Sequence, residues 1–183
     1  MYIYLILLLI LSSLAYDRNL AVKYAYKYYN KTNHDCSKGR YKCTPYPYYG
    51  SDLCKYGEGP GDSANFVSQC IVEGGHPPLK GRNCGGICDK IEPGVRQLGI
   101  CLVSNFHWKR TCGRLLPPPN YIKKGDVVIF HTNNCDDSKA HTVLVTVGGK
   151  NAKVTGHSNS VKDMDYKFWG KTKPYFEWLH FDK

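Results

Sequence analysis

Apolar and polar positions change rhythm three times along this chain. The first fifteen residues, MYIYLILLLILSSLA, are almost wholly apolar and carry no charged side chain. From Asp17 the stretch DRNLAVKYAYKYYN takes up a helical period. Leu20, Ala21, Tyr24 and Tyr28 share one face, Lys23, Lys27 and Lys31 lie elsewhere, and Asp17 stands as the N-cap. A second helix is marked in EGPGDSANFVSQC and the residues after it. Gly59-Pro60-Gly61 makes the turn, Asp62 caps, and Phe66, Val67, Cys70 and Ile71 form the apolar face. Gly74-Gly75 and Pro77-Pro78 stop it. Ser63 precedes Phe66, Val67 and Cys70 by helical spacings, so it leans toward the packed side.

Beyond residue 120 the period becomes two. GDVVIF (125–130), HTVLVTV (141–147) and AKVTGH (152–157) read as strands, the last two joined as a hairpin across Gly148-Gly149. YFEWLHF, from Tyr175 to Phe181, reads as a final strand. Between the two regimes, residues 76–119 are dense in Gly, Cys, Pro and basic side chains. They read as an irregular, disulfide-braced insertion with room for one short helix. Helices first and an antiparallel sheet afterwards is an α+β order.

The opening apolar run is too short to span a bilayer, and Ser13-Leu14-Ala15 offers the small residues that a signal peptidase reads. It is expected to be a cleaved signal peptide (1–15), leaving one domain (16–183) in an exported protein that does not insert in a membrane. All nine cysteines fall in that domain. At this density in an exported chain they imply disulfides rather than metal or redox chemistry. Nine is odd, and Cys70, among the core side chains of the second helix, is the expected buried free thiol. HTNNC (131–135) and CGGIC (84–88) fit no standard zinc spacing, so neither a metal nor another cofactor is expected. The formal charge of +10 lies wholly in the mature part and favours an acidic partner. It is spread out, with no dense basic block of the kind that marks a nucleic-acid arm.

The chemistry centres on Ser63. A nucleophile at a helix N-terminus gains from the helix dipole and from free backbone N–H groups that hold an oxyanion. His141, opening a strand, is the candidate base. His157 and Asn159, two residues apart and hence on one face, are candidates to orient it. Pairing Val145 with Val154 and Val147 with Ala152 sets His141 opposite Ser158 and leaves His157 on the other face. A bulge at Gly156 would bring it back.

The segments YDRNLAVKYAYKYYN, DSANFVSQCIVEGG, KGDVVIF, HTVLVT and GHSNS resemble, in order from Tyr16 to about Ser160, the putative amidase domain family. That family stands with the papain-like, NlpC-type and CHAP-type cell-wall hydrolases. The resemblance implies a papain-like fold and amide-bond hydrolysis by a cysteine nucleophile, a histidine base and a polar third residue, with peptidoglycan as the substrate of wider relatives. It implies His141 as base and His157 as orienter, with Asn159 the alternative. The oxyanion hole would use the Ser63 N–H and a donor from the preceding loop, Tyr48 or Tyr49. Where the family motif reads Asp-Cys-Ala/Thr-Asn-Phe-Val-Ser-Gln, this chain has Asp62-Ser63-Ala64-Asn65-Phe66-Val67-Ser68-Gln69. A thiol is partly ionised near neutral pH, whereas a hydroxyl needs an aligned base throughout the reaction. Three readings follow: a serine hydrolase on amide-linked wall material, a pseudoenzyme that binds an acidic wall polymer or peptide, or a disulfide-stabilised toxin-like protein that does not use the cleft.

Overall fold

A computed structural model describes residues 16–30, 63–82, 84–85, 94–137, 140–157 and 160–182. Asp17 caps the first helix, α1 (Arg18–Tyr28), by accepting the N–H groups of Asn19 and Leu20 at 2.8 and 3.1 Å. The helix buries Ala21, Val22 and Ala25, while Leu20 is 48% exposed. The buried face is therefore rotated from the expected one, and its small residues let α1 lie close against α2 (Ser63–Glu73). At their junction a Cβ on Gly74 would stand 2.6 Å from the Tyr16 ring and 3.0 Å from Ala21 Cβ. Residues Ser63 to Ile71 are all buried, with Phe66, Val67, Cys70 and Ile71 in the main core. Gly75, with φ of 86°, ends α2 in a left-handed cap. The His76 N–H returns to the Ile71 carbonyl and the Gly75 N–H to that of Val72. Asp62 and the turn before it lie outside the described residues.

Residues 76–119 read as irregular in the sequence, yet those of them that are described, 76–82, 84–85 and 94–119, carry regular elements. After a two-residue hairpin, β1 (Lys80–Gly81) with β2 (Cys84–Gly85), comes a full core helix, α3 (Val95–Phe106), then β3 (Lys109–Arg114). Leu98, Cys101 and Leu102 form the buried side of α3, and β3 is an edge strand of the main sheet. Two disulfides brace this region among the described residues: Cys84–Cys101 ties β2 to α3, and Cys112–Cys135 ties β3 to the loop after β4. Cys70 is a buried free thiol, as expected, and burial pushes its ionisation up.

The main sheet adds β4 (Val127–His131), β5 (Ala140–Val147), β6 (Lys153–Gly156), β7 (Val161–Asp165) and β8 (Tyr175–His180). Its six strands run β3-β8-β4-β5-β6-β7 and every neighbouring pair is antiparallel. The α+β architecture, with helices on an antiparallel sheet, is therefore as expected. Alternation along each strand makes two cores. Val127, Ile129, Leu144 and Leu179 face the helices. Val128, Phe130, Val143, Val145, Val154, Phe176 and Trp178 face the other way, under Tyr166 and Trp169 of a 3-10 helix (Tyr166–Lys171). Val145 pairs with Val154 as expected, but a register shift follows at once and sets Val147 beside Lys153 rather than Ala152. Among the described residues no helix is long and apolar enough to cross a membrane.

Candidate functional site

Ser63 begins α2 and is only 5% exposed. Its setting follows from the ladder. The Val145 N–H bonds the Asp126 carbonyl and the Val145 carbonyl accepts from Gly125, so Val145 turns both groups toward the β4 side. In an antiparallel strand the next residue turns to the opposite side. Leu144 and Thr142 therefore look toward β6. Pairing with β6 runs out at Leu144 opposite Thr155, which leaves the Thr142 N–H facing past the end of that strand. Ser63 Oγ accepts this N–H, at a long 3.5 Å. The hydroxyl closes an open sheet edge at the start of the helix.

His141 lies on the far face. Thr142 and Leu144 straddle Val143, and Leu144 packs toward the helices while Val143 packs away from them. His141 shares the side of Val143 by alternation. Its ring lies over Trp169 (centroids 5.2 Å apart, planes 28°), and Trp169 also stacks on Phe130, which pairs with His141 across β4 and β5. His141 Nε2 is buried with no hydrogen-bond partner. Burial first, and the Lys173 ammonium second, hold its pKa down to about 4. The imidazole is neutral at pH 7.

His157 lies on the helix face. Thr155 pairs with Leu144, and His157 two residues further is stacked on Phe66 of α2 (4.2 Å, 11°). Its Nε2 donates to the Tyr28 carbonyl at 2.6 Å, tying the end of α1 to the end of β6. Burial holds its pKa down to about 4 against the opposing pull of that carbonyl. The ladder with β7 does shift register between Val154 and Gly156, where a bulge was expected, yet His157 stays on the helix face. Gly156 instead brings its backbone so close to Val143 that a Cβ would stand 2.5 Å from Cγ1.

Of the four expected site residues, then, Ser63 and His157 lie toward the helices, and His141, next in the chain to the Thr142 that Ser63 meets, turns its ring to the other face. Neither Nε2 bonds Ser63. Asn159, Tyr48 and Tyr49 lie outside the described residues. Sequence reasoning also missed Trp169, which fixes His141, because YKFWGK has no period to betray it.

A second polar cluster was equally hidden. Glu177 accepts from Arg110 Nε at 2.6 Å and from His131 Nε2 at 2.7 Å, while His131 Nδ1 meets the Asp137 carbonyl at 3.1 Å. A pocket of ≈ 170 Å³ opens beside it, with Arg96 and Ser104 of α3 in its wall. Both nitrogens of His131 are engaged, so this imidazole braces the loop after β4 and has no ring nitrogen to offer a substrate. The signal was the spacing of His131 and Glu177 on neighbouring strands, which only the strand order reveals.

Against this geometry, a family model for the putative amidase domain matches residues 15–86. The match takes in α1, α2 and Ser63 and ends well before His141 and His157. No curated protein matches the chain. No solved structure matches it either.

Proposed function

We propose that this protein is a secreted, non-hydrolytic counterpart of the amidase-domain enzymes, one that binds amide-linked, acidic cell-wall material such as peptidoglycan. The amidase-domain match over the helical half supports the class. The observation that carries the loss of chemistry is the pairing at position 63: the Oγ accepts the Thr142 N–H while His141 is stacked on Trp169 across the sheet. Apo sites often hold catalytic hydrogen bonds that are long or poorly aligned. Here the case differs, because strand alternation turns His141 away from the helices and its ring is stacked on Trp169. The net charge of +10 supports an anionic ligand.

One observation favours hydrolysis instead. His157 is on the same side as Ser63, and a carbonyl fixes its ring, as an orienting group does in a triad. That imidazole is nevertheless fully buried and held flat against Phe66.

Binding is tested by co-sedimentation with purified peptidoglycan sacculi. The parent and Ser63→Ala are expected to pellet alike, and raising the salt from about 0.1 M to 1 M is expected to release both, since screening shortens the reach of exposed charges from ~10 to ~3 Å. Failure of both to pellet at low salt would remove the wall ligand.

A further inference from the structure

On the sheet face away from the helices, the structure holds two large apolar side chains out in water. Leu115 and Phe168 are each 56% exposed, more than any other large apolar residue described. Leu115 is also in left-handed backbone, with φ of 47°, a conformation that branched side chains rarely adopt. It is held there by its N–H, which donates to the Pro174 carbonyl at 2.6 Å. Folding gains nothing from a leucine turned outward at a strained position, and strain of this kind concentrates at binding sites.

Behind Leu115 lies a pocket of ≈ 380 Å³, walled by Leu115, Tyr166, Gly170 and Phe176 together with Lys167 and Lys171. Gly170 keeps it open: a Cβ there would sit 3.3 Å from both Leu115 Cδ2 and Phe176 Cζ. Lys167 and Lys171 are exposed, and so is Arg114, next in the chain to Leu115. In the 3-10 helix residues three apart eclipse, which sets Phe168 and Lys171 on one edge. The acidic residue beside this patch, Asp165, is occupied as the helix cap, accepting the Lys167 N–H at 2.9 Å.

We infer that this patch is a peripheral docking site for an anionic lipid surface. The lysines and Arg114 meet acidic headgroups, Leu115 and Phe168 enter the acyl boundary, and the pocket receives the end of a lipid chain. An apolar centre ringed by cations is complementary to an anionic bilayer and to neither a neutral bilayer nor a fully polar polyanion. The site is remote from Ser63, on the opposite face of the sheet, and stands whether or not Ser63 is catalytic.

The test uses the full chain and vesicles of phosphatidylcholine alone or with about a third phosphatidylglycerol, in the range of anionic content where each lysine adds measurably to binding. The parent is expected to co-sediment more strongly with the anionic vesicles than with the neutral ones. Leu115→Asp/Phe168→Asp and, separately, Lys167→Glu/Lys171→Glu are expected to weaken that binding by at least ~10-fold. All these positions are exposed, so thermal unfolding should be unchanged, which separates lost docking from lost fold. Residues 1–15 are common to every variant, and any binding they contribute cancels in the comparison. Equal sedimentation of parent and variants would overturn the inference. So would equal binding to neutral vesicles, or displacement by a soluble polyanion with the two aspartate substitutions having no effect.

Discussion

Replacing Asp126 with alanine is expected to cost about 3–5 kcal/mol of unfolding free energy, the range for a buried ion pair deprived of one partner. The carboxylate is fully buried and joins α1 and the end of β8 to its own turn. Arg18 Nη1 from α1 reaches Oδ1 at 2.5 Å, and His180 Nδ1 from β8 meets Oδ2 at 2.7 Å. The Lys123 N–H, in the turn into β4, donates to Oδ2 at 2.7 Å, and the Phe181 N–H to Oδ1 at 3.3 Å. Arg18 then continues to the Lys124 and Phe181 carbonyls. With alanine, a half-sheltered guanidinium and a buried imidazole lose their common partner. Asp126→Asn keeps the shape and part of the hydrogen bonding, so its loss should be smaller. Urea unfolding at pH 7.5 measures both. A loss under about 1 kcal/mol for the alanine variant would mean that the hub is not formed, since that is the scale of an exposed pair.

The second large effect is acid sensitivity. Burial holds His76, His141 and His157 each at a pKa of about 4. Each is about 6.5 in an unfolded chain. Between these values the unfolded chain binds more protons than the native one, so stability falls as pH drops through 6.5 toward 4 and is level above 7. The geometry agrees with neutral rings. His76 Nε2 accepts from Trp108 Nε1 at 3.2 Å, which a protonated nitrogen does not do. His141 Nε2 has no acceptor to receive a new proton. Each group contributes on the order of 3 kcal/mol at most over that interval, and the three together are expected to remove several kcal/mol between pH 7 and pH 4. Urea titrations across that range, repeated with His141→Phe, test this. The variant keeps a ring for Trp169 and should lose part of the slope. A stability that is flat from pH 7 to pH 4 would contradict the burial of these rings.

Much of the fold is legible in the sequence because it rests on local period and punctuation. Phe66, Val67, Cys70 and Ile71 at helical spacing, closed by Gly74-Gly75, specify α2 and its buried side without reference to anything distant. The strands at 127–131, 140–147 and 175–180 are legible for the same reason. Val95–Phe106 is legible only as one short helix without bounds, because Gly, Pro and Cys on both sides mask a helix whose buried Leu98, Cys101 and Leu102 span little more than one turn. The site is harder still, because it depends on which face each residue meets. Pairing Val145 with Val154 already places His141 and His157 on opposite faces. A bulge at Gly156 suits the expectation of a triad, yet the glycine is needed there to clear Val143. A local signal marks Ser63 as the start of a buried helix. Whether an imidazole stands beside it is decided by register, which is a tertiary property.

The central claim is that position 63 has no working base. The measurement that tests it most directly incubates the parent, Ser63→Ala and Ser63→Cys with purified peptidoglycan and identifies any released fragments by mass spectrometry. No fragments are expected from any of the three, because even a cysteine at this position would face Thr142 with His141 stacked on Trp169 across the sheet. Fragments released by the parent but not by Ser63→Ala, or by Ser63→Cys alone, would contradict the account: a competent base would then stand beside residue 63.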